Sequence, residues 1–156
     1  MGYTHYFELE GKTQFREREV AFINRMLEKS KNILKPEYVV NKNEIHFEGV
    51  DSCDDLLIFP KVREFCKTNR LPYDLPVCEV LLILKHLNPT RCKIDSDGFW
   101  VGKEECELFQ KTGVVKLDEN WNQALVNVER ALGLKFNWKM DITRPDGRDY
   151  YHFILV

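Results

Sequence analysis

The sequence predicts an α+β fold: one mainly antiparallel sheet with three or four helices, one of them central and buried, and a C-terminal β-hairpin. Three patterns indicate this fold. Segments near both ends alternate apolar and polar residues with the two-residue period of strands. Two longer segments repeat apolar residues at the three- and four-residue spacing of amphipathic helices. Residues 75–87 are apolar nearly all round, which is typical of a helix enclosed by other elements.

The first elements are a strand and a helix. Residues 3–9 alternate and are rich in aromatic side chains, which favours a strand. We expect Thr13 to cap the next helix, whose apolar stripe runs from Phe15 to Leu34 before Pro36 stops it. Short strands are predicted after it, over residues 38–40, 44–49 and 55–59.

The buried helix is followed by two turn signals and two helices. Asn88-Pro89 ends the buried helix. Asp97-Gly98 lies between two apolar runs, so a hairpin is predicted over residues 92–101. A short helix follows over residues 103–111, and a longer one begins at the capping residue Asp118 and ends at Gly133.

The C-terminal segment predicts an antiparallel hairpin. Apolar residues alternate with polar ones from Leu134 to Ile142. Residues 144–148 form a turn, and residues 150–156 return as the second strand. Because such strands leave a free edge, an edge-to-edge homodimer is left open.

Composition narrows the function classes. The chain has 156 residues, 44% of them apolar, which suits a single α+β domain over residues 1–156. A net charge of −2 argues against extended nucleic acid or a membrane surface as a partner, since both attract basic proteins. The longest apolar run, Val80 to Leu84, is far below the roughly 20 residues that span a bilayer. We therefore predict a cytoplasmic protein.

The metal and cofactor signatures are incomplete, so we expect neither a metal site nor a cofactor. His46-Phe47-Glu48 lacks the Pro-Cys-x-x-Cys partner of zinc deaminases. Asp95-Ser96-Asp97-Gly98 lacks the further ligands of a calcium loop. The five cysteines form no Cys-x-x-Cys pair and are predicted to be reduced and mostly buried. They are Cys53, Cys66, Cys78, Cys92 and Cys106.

Two catalytic signatures are also incomplete. Gly11-Lys12-Thr13 lies between a strand and a helix, but Tyr6 occupies the position where a phosphate loop needs a second glycine. None of the three serines lies in a Gly-x-Ser-x-Gly turn, which disfavours a serine hydrolase.

The segment before the buried helix is the strongest candidate for binding. Lys67 and Arg70 supply two positive charges and Thr68 a hydroxyl, close to the helix N-terminus at Asp74. Helix N-termini attract anions, so this segment could hold one. The alternative is that Asp74 caps the helix itself and the two cations are merely solvated. His5 shares a strand face with apolar residues, so it is either a hydrogen-bonded core residue or part of an aromatic pocket.

Three short motifs in a fixed order resemble a known family. They are Gly2-Tyr3-Thr4-His5-Tyr6, Phe65-Cys66-Lys67-Thr68 with Pro72-Tyr73-Asp74, and Ser96-Asp97-Gly98. In this order, over roughly residues 1–110, the chain is similar to a family of small uncharacterised bacteriophage-encoded proteins. The resemblance implies a phage accessory protein in the host cytoplasm and brings no assigned activity.

The leading hypothesis is a protein that binds a small anionic, nucleotide-like ligand and in a phage setting sequesters a host defence signal. The cations and Thr68 would hold phosphate, tyrosines would stack on a base, and Asp97 would accept hydrogen bonds from base or ribose. The candidate ligand-binding residues are His5, Tyr6, Lys67, Thr68, Arg70, Tyr73, Asp74 and Asp97.

Two alternatives come from other classes. The first is a protein–protein interaction module that contacts a host protein through Phe99-Trp100 or the C-terminal strands. The second is a nucleotide hydrolase or transferase with His5 as general acid or base, beside Asp74 or Asp97.

Overall fold

The computed structural model describes residues 2–156 and has the predicted α+β architecture, with four α-helices and three small antiparallel sheets. The helices are α1 (Glu17–Glu28), α2 (Asp74–Leu87), α3 (Lys103–Thr112) and α4 (Glu119–Leu132). The first five strands are β1 (Thr4–Leu9), β2 (Val39–Val40), β3 (Ile45–Phe47), β4 (Leu56–Ile58) and β5 (Val62–Lys67). The last four are β6 (Cys92–Ser96), β7 (Trp100–Val101), β8 (Trp138–Thr143) and β9 (Tyr150–Leu155).

The sheets have the strand orders β5-β1-β6, β2-β3-β4 and β7-β9-β8. In the first sheet β1 is central and antiparallel to both neighbours. Its inward face carries His5 and Phe7, which are buried, and its outward face carries Tyr6. The strand therefore presents one face to the core and another to solvent, as the alternation in residues 3–9 predicts.

Helix α2 is the centre of the molecule, as predicted. It packs against α1, α4 and β6, and its residues from Pro76 to Lys85 are all buried. Helix α4 covers it with a stripe that includes Trp121, Leu125 and Val128, all buried. Asp118 caps α4 and Gly133 ends it in the left-handed conformation, both as predicted.

Helix α1 is shorter at both ends than the sequence predicts. Its N-cap is Arg16 rather than Thr13, because the buried Glu19 carboxylate accepts hydrogen bonds from the Arg16 backbone N–H (2.9 Å) and from Lys12 Nζ (2.7 Å). Asn88, at the end of α2, donates to the same carboxylate at 2.7 Å. Burial alone would raise the pKa of Glu19, but these donors lower it below its usual value. The cluster ties the start of α1 to the end of α2.

The other end of α1 is at Glu28, well before Pro36. Ile33 and Leu34 keep the helical spacing of apolar residues, but their backbone pairs with the segment after β3. Leu34 forms an isolated bridge with Gly49, and Ile33 accepts a hydrogen bond from Val50. Tertiary pairing overrides the local pattern here.

The predicted hairpin over residues 92–101 is wrong. β6 pairs with β1, whereas β7 pairs with β9 in a different sheet, and a 3₁₀ turn at Asp97–Phe99 links them. Ser96 Oγ accepts a hydrogen bond from the Gly98 N–H at 3.0 Å, which fixes this turn. The Asp-Gly pair therefore forms a corner between two sheets.

Strand β5 was not predicted. It is an edge strand, and three successive residues, Arg63, Glu64 and Phe65, are exposed, so the sequence has no clean alternation there. The C-terminal hairpin is confirmed: β8 pairs with β9 from Trp138 opposite Leu155 to Thr143 opposite Tyr150. The first strand starts at Trp138 rather than Leu134.

The five cysteines are free, as predicted; Cys53 is exposed and the other four are buried. Among residues 2–156, no helix combines the length and the apolarity that crossing a bilayer requires.

Gly98→Ala should destabilise the protein by about 2–3 kcal/mol, because overpacking a tight core forces neighbours to shift. A Cβ at this glycine would collide with the Tyr3 hydroxyl and lie 2.6 Å from Trp121 Cδ1. Gly102→Ala is the matched control, since its Cβ would meet only the flexible end of Glu105, at 3.0 Å. Urea unfolding of both variants measures the difference. Equal stabilities would show that the corner is not closely packed.

Candidate functional site

A buried hydrogen-bond network joins the three sequence motifs. His5 Nε2 lies 2.5 Å from Asp74 Oδ1, and the Thr68 hydroxyl donates to the same oxygen at 2.5 Å. Asn120, on α4, donates to Asp74 Oδ2 at 2.7 Å. His5, Thr68 and Asp74 are fully buried. Three of the predicted site residues therefore meet directly, and they link β1, the end of β5, α2 and α4.

Ser96 completes the network and fixes the proton arrangement. Its Oγ accepts hydrogen bonds from the Gly98 N–H and from Trp121 Nε1, both at 3.0 Å. With both lone pairs used, its hydroxyl proton points to His5 Nδ1 at 2.8 Å. His5 Nδ1 is then an acceptor, so Nε2 carries the proton and donates to Asp74.

Aromatic side chains enclose His5. Tyr3 and Trp121 pack edge-on against its ring, each with its centroid 5.2 Å away. Cys78 Sγ lies 3.7 Å from Nε2. Burial raises the pKa of Cys78 well above its usual value. The imidazole has no exposed surface in this arrangement.

Ser96, His5 and Asp74 are hydrogen-bonded in the order found in the catalytic triads of hydrolases, but here the three residues have a structural role. Ser96 is 1% exposed and its lone pairs are occupied, so no substrate carbonyl reaches its oxygen. His5, Asp74 and Cys78 also place three potential metal-ligand atoms within 4.8 Å of one another. His5 Nε2 donates to Asp74 Oδ1 at 2.5 Å, a separation too short for two ligands that each lie about 2 Å from one ion.

Asp74 does not cap α2. The N-cap is Tyr73, and no side chain caps that end. The Asp74 carboxylate turns instead to His5, Thr68 and Asn120. Burial alone would raise the pKa of Asp74, but these hydrogen bonds lower it below its usual value. A carboxylate already occupies the first turn of the helix, where a second anion would be repelled.

Arg70 covers the network from outside. Its guanidinium lies 3.9 Å from the centroid of the Tyr3 ring, and its Nε lies 3.4 Å from Asp118 Oδ2. Asn69 and Arg70 both have left-handed backbone angles, with φ of 50° and 57°, which non-glycine residues rarely adopt. Two adjacent residues in this conformation turn the chain sharply and place Arg70 over Tyr3.

The Tyr3 hydroxyl is buried and makes no hydrogen bond within residues 2–156. Burial and the nearby Asp118 carboxylate raise the pKa of this phenol, but the pair lacks hydrogen-bond geometry. Buried polar groups without partners are rare in folded proteins.

Tyr73 is a structural residue. Its ring is fully buried, and its hydroxyl lies 2.6 Å from the carbonyl oxygen of Asp54 and 3.1 Å from that of Lys67. Burial raises the pKa of Tyr73 to about 12. Its faces are not available for stacking on a base. Asp97 is exposed, and its Oδ2 accepts a hydrogen bond from the Thr4 N–H at 2.9 Å.

The outward face of the β5-β1-β6 sheet is the accessible candidate site. Tyr6 on β1 lies directly opposite Phe65 on β5, and these side chains are 46% and 58% exposed. On β1, Glu8 lies opposite Arg63 on one side and Lys93 on the other. An open concavity of about 470 Å³ lies over these residues.

The same face continues towards the third sheet. Asp95 on β6 lies opposite Tyr6 and accepts a hydrogen bond from His152 Nε2 at 2.7 Å. Trp100 stacks on His152 with 4.0 Å between ring centroids and is 46% exposed. Lys67, at the other end of β5, lies opposite Thr4.

Comparison of the chain with protein-family models, curated proteins and solved structures finds no match. The phage-family resemblance therefore stays a prediction.

Sequence reasoning missed several members of both regions. Ser96 and Trp121 belong to the buried network, and Phe65 and Lys93 to the outward face. The Ser-x-Gly spacing of Ser96-Asp97-Gly98 was a signal for a turn fixed by the Ser96 side chain. Phe65 and Lys93 are placed on this face by the register of β5 and β6 on β1, and the irregular pattern of β5 conceals the register of Phe65.

Tyr3→Phe should leave the free energy of unfolding nearly unchanged, because removing an unpaired hydroxyl loses no hydrogen bond. Tyr73→Phe is the matched control and should cost about 1–2 kcal/mol, since its hydroxyl has backbone partners. Urea unfolding compares the two. An equal loss in both would show that the Tyr3 hydroxyl has a partner.

Asp74→Ala should destabilise the protein by about 3–5 kcal/mol, because His5, Thr68 and Asn120 lose their common acceptor inside the core. Asp55→Ala breaks an exposed histidine–aspartate contact, His46 to Asp55 at 2.6 Å, and should cost about 0–1 kcal/mol.

The contribution of Asp74 should also depend on pH. Its pKa is lower in the folded protein than in the unfolded chain, so the stabilisation is present above the unfolded pKa. It is lost as the pH falls through the folded pKa. Urea unfolding at several acidic pH values measures this effect. As the pH falls, the free energy of unfolding should decrease less in Asp74→Ala than in the wild type. Parallel pH profiles would contradict the role given to Asp74.

Proposed function

We propose that the protein binds a small anionic, nucleotide-like ligand on the outward face of the β5-β1-β6 sheet. The observation that carries the proposal is the cross-strand pair Tyr6 and Phe65, two half-exposed aromatic rings that line an open concavity. Directly opposed side chains on antiparallel strands have Cβ atoms about 5 Å apart, so the two rings offer one continuous apolar platform.

The platform suits a planar base. Stacking of a base on an aromatic side chain contributes about 1–3 kcal/mol. The neighbouring Asp95 offers a carboxylate for hydrogen bonds from the exocyclic amines of a base or from ribose hydroxyls. The proposed site therefore includes Tyr6, one of the ligand-binding residues predicted from the sequence.

Cations lie at both ends of the platform. Arg63 and Lys93 stand on either side of Glu8, and Lys67 lies at the opposite end of β5. Arginine and lysine side chains favour phosphate oxygens. Glu8, Glu64 and Asp95 line the same concavity and keep the face from being uniformly positive, which supports a single small anion over a long polyanion.

The buried network supports this face from below. His5 on the inner side of β1 is directly opposite Ser96 on β6 and hydrogen-bonded to it, and its other nitrogen reaches α2. In this proposal His5, Thr68 and Asp74 are positioning residues that hold the strands in register. Arg70, which packs on Tyr3, and Tyr73, whose hydroxyl contacts the Lys67 carbonyl, also position these strands. Asp97 contacts β1 by accepting a hydrogen bond from the Thr4 N–H.

The motifs resemble those of bacteriophage-encoded proteins. In an infected host, such a protein would bind a signalling nucleotide of the host and so remove it from solution. Sequestration requires affinity alone, which agrees with a site built from an aromatic platform and cations. If no nucleotide binds, half-exposed Trp100 becomes the residue to test for capture of a host protein.

Tyr6→Ala and Phe65→Ala should each weaken nucleotide binding by about tenfold or more, since each removes one stacking surface. Isothermal titration with nucleoside mono-, di- and triphosphates and cyclic dinucleotides measures the affinity. Tyr150→Ala, which truncates a tyrosine that is 37% exposed in another sheet, is the matched control and should bind like the wild type.

Arg63→Gln and Lys93→Gln should lower the affinity for phosphorylated ligands and leave the affinity for the corresponding nucleoside unchanged. Chromatography of the titrated samples detects turnover and so tests the enzyme alternative. Failure of every nucleotide to bind the wild type would overturn the proposal, as would equal affinity in Tyr6→Ala and the wild type.

A further inference from the structure

A second cleft lies between three helices, away from the sheet face. It has a volume of about 310 Å³ and is bounded by the end of α1, the first half of α2 and the second half of α4. Glu79 of α2 lines it and is only 3% exposed. A carboxyl group buried to this degree is rare unless it has partners.

Glu79 has fewer partners than the other buried acids. Asn127 donates to its Oε2 at 3.1 Å and is the one side chain in residues 2–156 that bonds to it. Glu19 and Asp74 each accept at least three hydrogen bonds. Burial raises the pKa of Glu79 to about 7, which reflects this shortage of donors. A carboxylate can accept about four hydrogen bonds, so most of its capacity is free.

The mouth of the cleft has the opposite charge. Lys29 and Arg130 both line it and are exposed, and Lys29 is close enough to lower the pKa of Glu79 by its charge. Met26 and Ala131 give the wall an apolar part, and Ser30 adds a hydroxyl. The cleft thus places one acid at a desolvated position and two cations at its solvent side.

We infer that this cleft binds a small zwitterion, an α-amino acid or a similar compound with an ammonium and a carboxylate group. The ammonium would donate to Glu79 at the base of the cleft, and the carboxylate would accept from Lys29 and Arg130 at its mouth. A simple cation would be repelled by the two basic side chains, and a simple anion by Glu79. Only a ligand with both charges in this order complements the cleft. This site is independent of the nucleotide proposal, because it shares no residue with the sheet face.

Heteronuclear NMR of the full chain tests the inference, with the standard amino acids as probes. Each is compared with its N-acetyl derivative, which lacks the ammonium, and with its amide, which lacks the carboxylate. We expect at least one free amino acid to shift the Asn127 side-chain amide signal in a saturable way. Both derivatives should bind about tenfold more weakly or not at all.

Glu79→Gln keeps the shape of the side chain and its hydrogen bond from Asn127 but removes the charge. It should abolish the shift, while Glu119→Gln, which changes an exposed acid on α4, the helix that carries Asn127, should leave it intact. Lys29→Gln should weaken binding of the free amino acid without changing that of the amide. Absence of any saturable shift with all amino acids would overturn the inference. Equal binding of a free amino acid and its N-acetyl derivative, or unchanged binding in Glu79→Gln, would also overturn it.

Discussion

The Asp74 carboxylate is the interaction on which the rest of the structure depends. It is fully buried at the start of the central helix and accepts hydrogen bonds from β1, from the residue after β5 and from α4. Removing a charge from water is costly, and only a full set of donors offsets that cost. The four segments must therefore meet in one geometry for the charge to be satisfied. The same requirement fixes β6, because His5 also bonds to Ser96 on that strand.

Because of this constraint, the polar motif residues are structural, and the residues accessible to a ligand lie elsewhere. The histidine, threonine and aspartate that look most like chemistry in the sequence are all enclosed. The residues that face solvent on the other side of the same strands are Tyr6 and Phe65, with cations beside them. Because alternate residues of a strand point to opposite faces, a rigid inner network and an outer binding face are made from the same six-residue strand.

The sequence predicts the elements whose pattern is local and fails where tertiary contacts decide. The α+β class, the buried helix, the capped helix α4 and the C-terminal hairpin all follow from periodicity and capping residues. The corner at Asp97-Gly98 was predicted as a hairpin, since nothing local reveals that β6 and β7 belong to different sheets. For the candidate site, the motifs placed His5, Thr68 and Asp74 in one set of candidate ligand-binding residues. They could not name Asn120, because its place beside Asp74 depends on how α4 packs on α2.

The distribution of the thiols has a practical consequence. Burial raises the pKa of Cys66, Cys78 and Cys92, whereas Cys53 is exposed and accepts a hydrogen bond from Asn69 Nδ2 at 3.4 Å. Thiolates react with alkylating reagents and buried thiols do not. The native chain therefore offers a single point of attachment for a fluorophore or spin label, without any engineered cysteine. That point adjoins the left-handed turn at Asn69 and Arg70, so a label there reports on whether this turn stays closed over the buried histidine.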